Sequence, residues 1–259
     1  MGSWGVRRRL SKRMREQMGG TGERRLDEIS TEWSIIRDPA EFVIRYQKAI
    51  RKYLGALIRN PHDVEEVLQD FFLRVSQNGF IRARQERGRF RDYLKAAVRN
   101  AAINFHRRTR FPQPMDSAVL QKMIADIPQQ DADQVWIRQW QKTMLERAMR
   151  ALKKHQKSSP RNLSFTVLDL IAAFPHEDTK KLAERISGLL GRPIRPDAFR
   201  KQVSRARRLL ALALVQEIAQ TLDEPSKSQV LEEFRELELW PYVSGYLPSN
   251  WTWTKPKPS

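Results

Sequence analysis

Apolar residues recur at intervals of three and four along most of the chain, which is the spacing of an amphipathic α-helix. The alternation of apolar and polar residues that indicates strands is rare, and glycine and proline are concentrated at a few places. The helical spacing runs from Thr31 to about Arg110 and again from Val135 to about Leu222. The pattern therefore predicts an all-α protein with two small helical domains.

The stretches outside the helical spacing differ in composition from the two predicted domains. The N-terminal stretch is basic and contains glycine, so we expect a disordered basic arm. The stretch between the domains carries three prolines and no strong amphipathic face, which is typical of a flexible linker. After the second domain come an acidic helix and a tail with Trp251 and Trp253, whose role the pattern leaves open. The predicted arm, first domain, linker, second domain and C-terminal extension span residues 1–28, 29–110, 111–133, 134–222 and 223–259.

The segment from Asp63 to Val75, DVEEVLQDFFLRV, predicts a helix with two distinct faces. Asp63 is its predicted N-cap, and Glu66 stands where it would complete a capping box. The helical spacing predicts a buried stripe of Val64, Val67, Leu68, Phe71 and Val75. The second face carries Glu66, Gln69, Asp70 and Leu73. This acidic face is either a solvated helix side or a docking surface for a basic, partly apolar partner, and its acids should turn it away from nucleic acid.

The following helical segment, FRDYLKAAVRNAAINFHRRTR, has a basic face with amides. Its predicted buried stripe is Leu94, Val98, Ala101 and Phe105. Its second face carries Asn100, Asn104, Arg107 and Arg108. Asparagine can read a base edge bidentately and arginine can neutralise phosphate, so this face fits DNA. The alternative is a solvated basic helix end, where cations suit the helix dipole, but the two amides gain nothing from that dipole.

The segment DTKKLAERISGLLGRPIRPDAFRKQVSRARRLLALAL predicts two helices separated by a proline-rich turn. The predicted buried sides consist of Leu182, Ile186 and Leu189 in the first helix, with Ala183 at a close crossing, and Phe199, Val203, Ala206 and Leu210 in the second. The opposite face of the second helix carries Arg200, Lys201, Ser204, Arg205 and Arg208. A helix-turn-helix inserts such a face into the major groove of DNA. A solvated basic helix with no DNA contact would show the same pattern.

The charge balance narrows the class of partner. The chain has 48 Lys and Arg against 30 Asp and Glu, a net charge of +18 and a pI near 10.6. Such a charge indicates a polyanionic partner, of which nucleic acid is the commonest. A ribosome-associated or simply basic protein would have the same balance, so charge alone does not choose between them.

Several kinds of chemistry find no support in the sequence. With no cysteine, a disulfide framework, a thiolate metal site and a cysteine nucleophile are excluded. The four histidines are scattered, and no carboxylate pair, Walker motif or Ser-His pattern stands out, so we expect no metal, no cofactor and no enzymatic activity. The longest apolar run, residues 209–215, is far short of the ~20 residues that a bilayer span requires. We expect a cytoplasmic protein with no membrane partner.

The segment from Tyr46 to Arg110 resembles region 2 of bacterial extracytoplasmic-function sigma factors. DVEEVLQDFFLRV stands where that family has an Asp-x-Glu-Asp-Leu-x-Gln-Glu-x-Phe helix, and FRDYLKAAVRNAAINFHRR stands where it has an aromatic-Leu segment, an Arg-Asn pair and a basic end. VSRARRLLALAL resembles the end of sigma region 4, and VWIRQWQKTMLERAMRALKKHQ resembles the planctomycete-type subset. Two features depart from the family: Tyr93 replaces the usual tryptophan, and about one extra helical turn lies between Ala183 and Gly191.

The resemblance implies a non-enzymatic transcription initiation factor whose partners are core RNA polymerase and promoter DNA. An anti-sigma factor or a regulatory kinase is a further candidate partner. The implied polymerase-binding residues are Glu66, Gln69, Asp70 and Leu73. The implied contacts to the promoter −10 element are Asn100, Asn104, Arg107 and Arg108. The implied contacts to the −35 element are Arg200, Lys201, Ser204, Arg205 and Arg208.

Two other functions compete with the sigma factor. A free-standing helix-turn-helix regulator would bind its operator without polymerase, and it would not need the acidic face around Gln69. An enzyme that acts on nucleic acid would need catalytic groups that the sequence does not display.

Overall fold

The structure is a computed structural model, and it describes residues 39–78, 89–110, 129–159, 161–222 and 225–253. Over these residues the secondary structure is helical and contains no strand beyond one antiparallel bridge between Arg89 and Leu222. The all-α prediction is confirmed. The described helices are α1 (Pro39–Leu57), α2 (Pro61–Asn78), α3 (Phe90–Arg110), α4 (Gln129–Ser158), α5 (Ser164–Ala173), α6 (Thr179–Leu190), α7 (Pro196–Ala219), α8 (Lys227–Glu236) and α9 (Trp240–Val243). The predicted arm lies outside the described residues, as does the predicted linker up to residue 128.

Helix α2 has the predicted buried stripe but a different start. The five stripe residues are all buried: Val64, Val67, Leu68, Phe71 and Val75. The helix begins at Pro61, and Asn60 caps it by accepting a hydrogen bond from the backbone N–H of His62 at 3.0 Å. The prediction of Asp63 as the cap, with Glu66 in a capping box, is therefore wrong. Proline at the first helical position has its φ already set for a helix, so the helix starts before Asp63.

The buried sides of α3 and α6 each differ from prediction at one position. In α3, Leu94, Val98 and Phe105 are buried as predicted, whereas Ala102 is buried in place of the half-buried Ala101. In α6, the residues buried as predicted are Leu182, Ala183 and Ile186. Leu189 was predicted to be buried, but 67% of it is exposed, and Leu190 packs inward instead. The small Ala183 lies in the interface, which rotates the buried face of α6 away from Leu189.

Two clusters of buried apolar side chains hold the helices together. The larger cluster joins α1, α2 and α3 to most of α4, to the second half of α7 and to the C-terminal segment. The smaller cluster joins α5 and α6 to the first half of α7. Because α7 is one continuous helix, it contributes Phe199 and Ala206 to the smaller cluster and Leu214 and Ile218 to the larger one. The boundary between the two predicted domains stays a prediction, but it does not coincide with a boundary between these clusters.

Aromatic rings from α1 and α4 form the centre of the larger cluster. Tyr46 stacks on Trp140 with ring centroids 5.3 Å apart, and Trp136 lies 5.1 Å from Tyr53. Farther along α4, the buried Arg147 lies 2.5 Å from Glu217 of α7. A buried guanidinium requires such a partner because desolvation of an unpaired charge costs several kcal/mol. Helix α4 begins at Gln129, so the last five residues of the predicted linker are helical.

The C-terminal segment packs against the larger cluster. Helix α8 starts with a capping box in which Ser226 and Gln229 exchange side-chain and backbone hydrogen bonds. Trp251 is buried in the cluster, and Trp253 is half-buried beside it. None of the described helices is long and apolar enough to cross a membrane.

Candidate functional site

The acidic face of α2 is accessible, as the sequence predicts. Glu66 and Gln69 are exposed, Asp70 is half-buried, and 55% of Leu73 is exposed. The four residues lie on the side of α2 that faces away from the buried stripe. This arrangement places an exposed leucine beside carboxylates, which is the composition of a docking surface for a basic and partly apolar partner.

An ion pair connects the acidic face of α2 to the basic face of α3. A carboxylate oxygen of Asp70 lies 2.9 Å from Nη2 of Arg108 and 3.6 Å from Nη2 of Arg74. The acidic face was expected to point away from the residues predicted to contact DNA, but its edge touches one of them. The pair is solvent-exposed, so it contributes at most about 1 kcal/mol to stability. Its consequence is geometric, because a change at Asp70 also releases Arg108.

The basic face of α3 consists of the predicted residues. Asn100, Arg107 and Arg108 are exposed, and Asn104 is half-buried. The neighbouring Arg99 is half-buried beside Tyr53 of α1. Burial raises the pKa of Tyr53, and the nearby guanidinium of Arg99 opposes that rise.

The basic face of α7 is fully accessible. Its five predicted residues are all exposed: Arg200, Lys201, Ser204, Arg205 and Arg208. Arg200 pairs with Asp197 in the first turn of the helix. Arg207, beside this face, donates a hydrogen bond of 2.7 Å to the hydroxyl of Tyr246 and lies over its ring. The C-terminal segment therefore touches the flank of the face and leaves the face itself open.

Local contacts fix the turn between α6 and α7. Gly191 ends α6 in the left-handed conformation with φ of 62°, which glycine adopts without strain. The hydroxyl of Ser187 accepts a hydrogen bond of 2.8 Å from the backbone N–H of Ile194. At the start of α6, a carboxylate oxygen of Asp178 accepts the backbone N–H of Lys181 at 2.8 Å. Gly191 and the bond from Ile194 to Ser187 therefore fix the turn, and the bond to Asp178 caps the start of α6.

A second ion pair supports α6 from the preceding loop. Two oxygens of Glu177 lie 2.6 and 2.5 Å from Nε and Nη2 of Arg185. The guanidinium of Arg185 also lies 3.7 Å from the ring centroid of Phe174. The hydrogen bond from Arg185 lowers the pKa of Glu177.

A charge cluster at the start of α3 was not anticipated from the sequence. Arg89 and Arg91 lie there, and both contact Glu233 and Glu236 of α8. Glu233 is fully buried, and burial raises its pKa although the two arginines oppose the rise. Partial burial also acts to raise the pKa of Glu236, but hydrogen bonds from Arg89 and Arg91 outweigh it and lower that pKa. The only sequence signal was the acidic character of the α8 segment, since nothing in the pattern indicates which arginines it meets.

Residues 42–111 match the family model of sigma-70 region 2. The match runs from α1 through α2 to the end of α3, and it supports the predicted relationship to sigma-70 factors. Sigma factors are initiation factors without enzymatic activity, so the match also supports the prediction that this protein is not an enzyme. Comparison with curated proteins and with solved structures gave no match.

The region 2 match covers part of the candidate site. It includes the acidic face of α2, the basic face of α3 and both arginines of the charge cluster. It does not include α7, so the likeness of α6 and α7 to sigma region 4 stays a prediction. Glu233 and Glu236 also lie outside the matched segment. Among the described residues, no group of three or more His, Asp and Glu side chains could hold a metal ion.

Proposed function

We propose that the protein is an RNA polymerase sigma factor of the extracytoplasmic-function type, in its planctomycete-type subset. It binds core polymerase in the cytoplasm, recognises the promoter −10 and −35 elements, and helps to open the DNA for initiation. The observation that carries the proposal is the match of residues 42–111 to sigma-70 region 2. The accessible acidic and basic faces within that segment agree with two separate partners, a protein and DNA.

Polymerase docking is assigned to the acidic face of α2. The assignment covers Glu66, Gln69, Asp70 and Leu73. The apolar anchor is Leu73, because a side chain that is 55% exposed in the free protein can bury its apolar surface in a complex. The carboxylates around it select a basic partner surface and exclude acidic ones.

Contact with the −10 element is assigned to the basic face of α3. Asn100 and Asn104 offer amides to base edges, and Arg107 offers a charge to phosphate. Arg108 is already paired with Asp70 in the free protein. Its contribution to phosphate binding is therefore smaller than that of Arg107 unless polymerase engages Asp70 and releases it.

Contact with the −35 element is assigned to the exposed face of α7. Five polar or cationic side chains, Arg200, Lys201, Ser204, Arg205 and Arg208, project from a helix whose opposite side is anchored by Phe199 and Ala206. Arginine reads guanine bidentately in the major groove, so Arg205 near the middle of the face is the best candidate for base readout.

The main test is capture of purified bacterial core RNA polymerase by the immobilised protein. We expect the double variant Gln69→Ala, Leu73→Ala to raise the Kd by at least about tenfold, because it removes the apolar anchor and a neighbouring amide. Asp70 is left intact because its replacement would also free Arg108.

The matched control is Leu189→Ala, which removes an exposed leucine from α6. It should leave the Kd unchanged. If the wild-type protein shows no binding to core polymerase, the sigma assignment is wrong. If wild type and double variant bind equally well, docking takes place on another surface.

Arg205→Ala tests the assignment of α7. If Arg205 reads a base, the variant should lose about 1–3 kcal/mol of affinity for the preferred −35 sequence and discriminate less at one position. Uniformly weaker binding to all DNAs, with a shallower dependence on salt, would make Arg205 a phosphate contact instead. The control is Arg150→Ala, an exposed arginine on α4 outside this face.

A free-standing helix-turn-helix regulator remains the second candidate. It is favoured by the fact that the bond between Ile194 and Ser187 and the left-handed Gly191 already fix the turn between α6 and α7 in the free chain. Specific binding of an operator by the isolated protein, with no capture of core polymerase, would establish this alternative. An anti-sigma factor or a regulatory kinase as partner has no support in the described contacts.

A further inference from the structure

The N-terminus of α3 lacks the side chains that usually start a helix. Arg89 precedes the helix, and its carbonyl accepts the backbone N–H of Tyr93 at 3.2 Å, so it occupies the N-cap position. Arginine has no acceptor with which to cap the first N–H groups. Arg89 and Arg91 also place two positive charges at the positive end of the helix dipole, and Asp92 is the one acid in the first turn.

Helix α8 supplies the missing negative charge. Arg91 makes two contacts to Glu233, with Nε to Oε1 at 2.9 Å and Nη2 to Oε2 at 3.2 Å. Nη2 of Arg91 also lies 2.5 Å from Glu236. Arg89 lies 3.4 Å from Glu233, contacts Glu236, and lies 3.0 Å from the exposed Glu232. Three carboxylates from one helix therefore surround the two arginines.

The backbone of the residues that follow α7 also holds the start of α3. The N–H of Phe90 donates to the carbonyl of Thr221 at 3.3 Å, beside the bridge between Arg89 and Leu222. The rings of Phe90 and Phe234 are both fully buried in the larger cluster. Backbone, charged and apolar contacts thus converge on residues 89–91 from the segment that follows α7.

Burying the charge cluster costs desolvation free energy, so it stabilises the fold inefficiently. Glu233 is completely buried and Arg91 is 4% exposed, so both have lost their hydration. Burial of such a pair costs several kcal/mol per ion, and a well-packed apolar pair of similar volume is often equally stable or more so. The ionic pair also restricts orientation, because the hydrogen bond from Nη2 of Arg91 to Oε2 of Glu233 is directional and Nε lies 2.9 Å from the second carboxylate oxygen.

We propose that α8 is a positioning element for the promoter-reading helix, in which Glu233 and Glu236 hold Arg89 and Arg91 and thereby set where α3 begins and in which direction it points. The proposal rests on the proposed function, in which α3 contacts the −10 element. Glu233 is a positioning residue, since it acts on DNA only through α3.

The geometry of α3 explains why its start matters. Asn100 lies about 15 Å along the helix from Phe90, at a rise of 1.5 Å per residue. A tilt of roughly 10° at the start would therefore displace Asn100 by about 2.6 Å, close to the length of a hydrogen bond. An amide moved by that distance would no longer meet the same base edge.

The first arm of the test uses hydrogen–deuterium exchange in the free, full-length protein. In Glu233→Gln, the backbone amides in the first two turns of α3 should exchange at least about tenfold faster than in wild type. The matched control, Glu232→Gln, alters the neighbouring exposed carboxylate, which among the described residues pairs with Arg89 and not with Arg91, and should leave these amides unchanged. If Glu233→Gln unfolds the whole protein, Glu236→Gln takes its place, because that side chain is 41% exposed.

The second arm separates positioning from stability. The double variant Arg91→Met, Glu233→Leu replaces the ionic pair by an apolar one and should keep or raise the denaturation midpoint. It should still bind core polymerase. The rate of promoter opening, followed by 2-aminopurine fluorescence in the −10 element, should fall by about tenfold, because a binding site needs its groups held within about 0.5 Å.

Two results would overturn the proposal. One is that the amides of α3 exchange at the wild-type rate in both Glu233→Gln and Glu236→Gln. The other is normal promoter opening by the stable apolar variant, which would make the cluster a support for the fold alone. If wild type neither binds polymerase nor opens a promoter, the proposed function fails, whereas the exchange arm still decides whether α8 sets the start of α3.

Discussion

The two helices assigned to DNA, α3 and α7, begin in different ways. Helix α7 starts with Pro196 at its first position and Asp197 in its first turn, which are favourable signals within its own sequence. Helix α3 starts at Phe90 after the N-cap Arg89, with Asp92 in its first turn. The other carboxylates that stabilise this end lie 142 and 145 residues further along the chain from Arg91. The start of α7 is therefore a local property, whereas the start of α3 depends on the C-terminal segment.

This difference extends to the clusters around the two helices. The smaller cluster, around α5, α6 and the first half of α7, uses residues that are close in sequence. The larger cluster needs side chains from α1 to the tail. We therefore expect truncation or substitution in the C-terminal segment to destabilise α3 more strongly than it destabilises α5, α6 and the first half of α7.

The largest effect is expected from ending the chain at Leu222. The deletion removes six buried apolar side chains, Val230, Phe234, Leu237, Leu239, Val243 and Trp251. It also leaves Arg91 without Glu233. The loss should exceed about 10 kcal/mol, comparable with the whole stability of a domain. Hydrogen exchange should show protection only in α5, α6 and the first half of α7; a truncated chain that keeps protection in α3 would contradict this.

A smaller effect is expected from a matched pair of variants at two buried phenylalanines, one in each cluster. Phe234→Ala and Phe199→Ala should each cost about 3–5 kcal/mol, because each removes a ring that is at most 1% exposed. Urea denaturation measures the cost, and hydrogen exchange locates it. Phe234→Ala should increase the rate of hydrogen exchange in α3, whereas Phe199→Ala should increase it in α5 and α6. If both variants increase exchange equally in both regions, the two clusters unfold as one unit.

Gly191→Ala should produce a local effect of about 1 kcal/mol. A Cβ at this position meets no atom within 4 Å, so the cost is that of placing alanine at φ of 62°. The denaturation midpoint should fall slightly, and chemical shifts should change in the turn between α6 and α7. Gly188→Ala is the control, since Gly188 also has free space but lies inside α6, where alanine is favourable. A larger loss for Gly188→Ala than for Gly191→Ala would contradict the argument.

The smallest effect concerns the pH dependence of the ion pair before α6. The pKa of Glu177 is lowered from its ordinary value of 4.5, chiefly by the hydrogen bond from Arg185. The stabilisation is therefore complete above pH 4.5 and is lost as the pH falls through the lowered pKa. In Arg185→Gln, an NMR titration should find the pKa of Glu177 close to its ordinary value. An unchanged pKa would show that another group lowers it.

Much of the fold could be predicted from the pattern of apolar residues. The stripe of α2 was predicted at each of its positions, because a helix with one buried side repeats that side every three or four residues. Errors arose where the exact rotation or end of a helix mattered. Ala102 and Leu190 took the places predicted for Ala101 and Leu189, and Asn60 took the capping role of Asp63.

Residues of the candidate site were predictable as faces but not as contacts. Spacing alone grouped Gln69 with Leu73 and Asn100 with Asn104; Asn104 is half-buried and the other three are exposed. Spacing did not indicate that Asp70 and Arg108, on different helices, form an ion pair. Which side chains meet across two helices depends on where those helices cross. The spacing of residues within either helix does not contain that information.

By itself, the sequence determined the helical class, the buried face of α2, the accessible faces of α2 and α7, and the positive charge that suits DNA. These properties follow from residues within a few turns of one another. Only the tertiary structure decided that the C-terminal segment belongs to the core around α3, and that Glu233 meets Arg91. A buried ion pair is favourable only where the surrounding packing excludes water from both charges and aligns them, and that packing is a property of the whole fold.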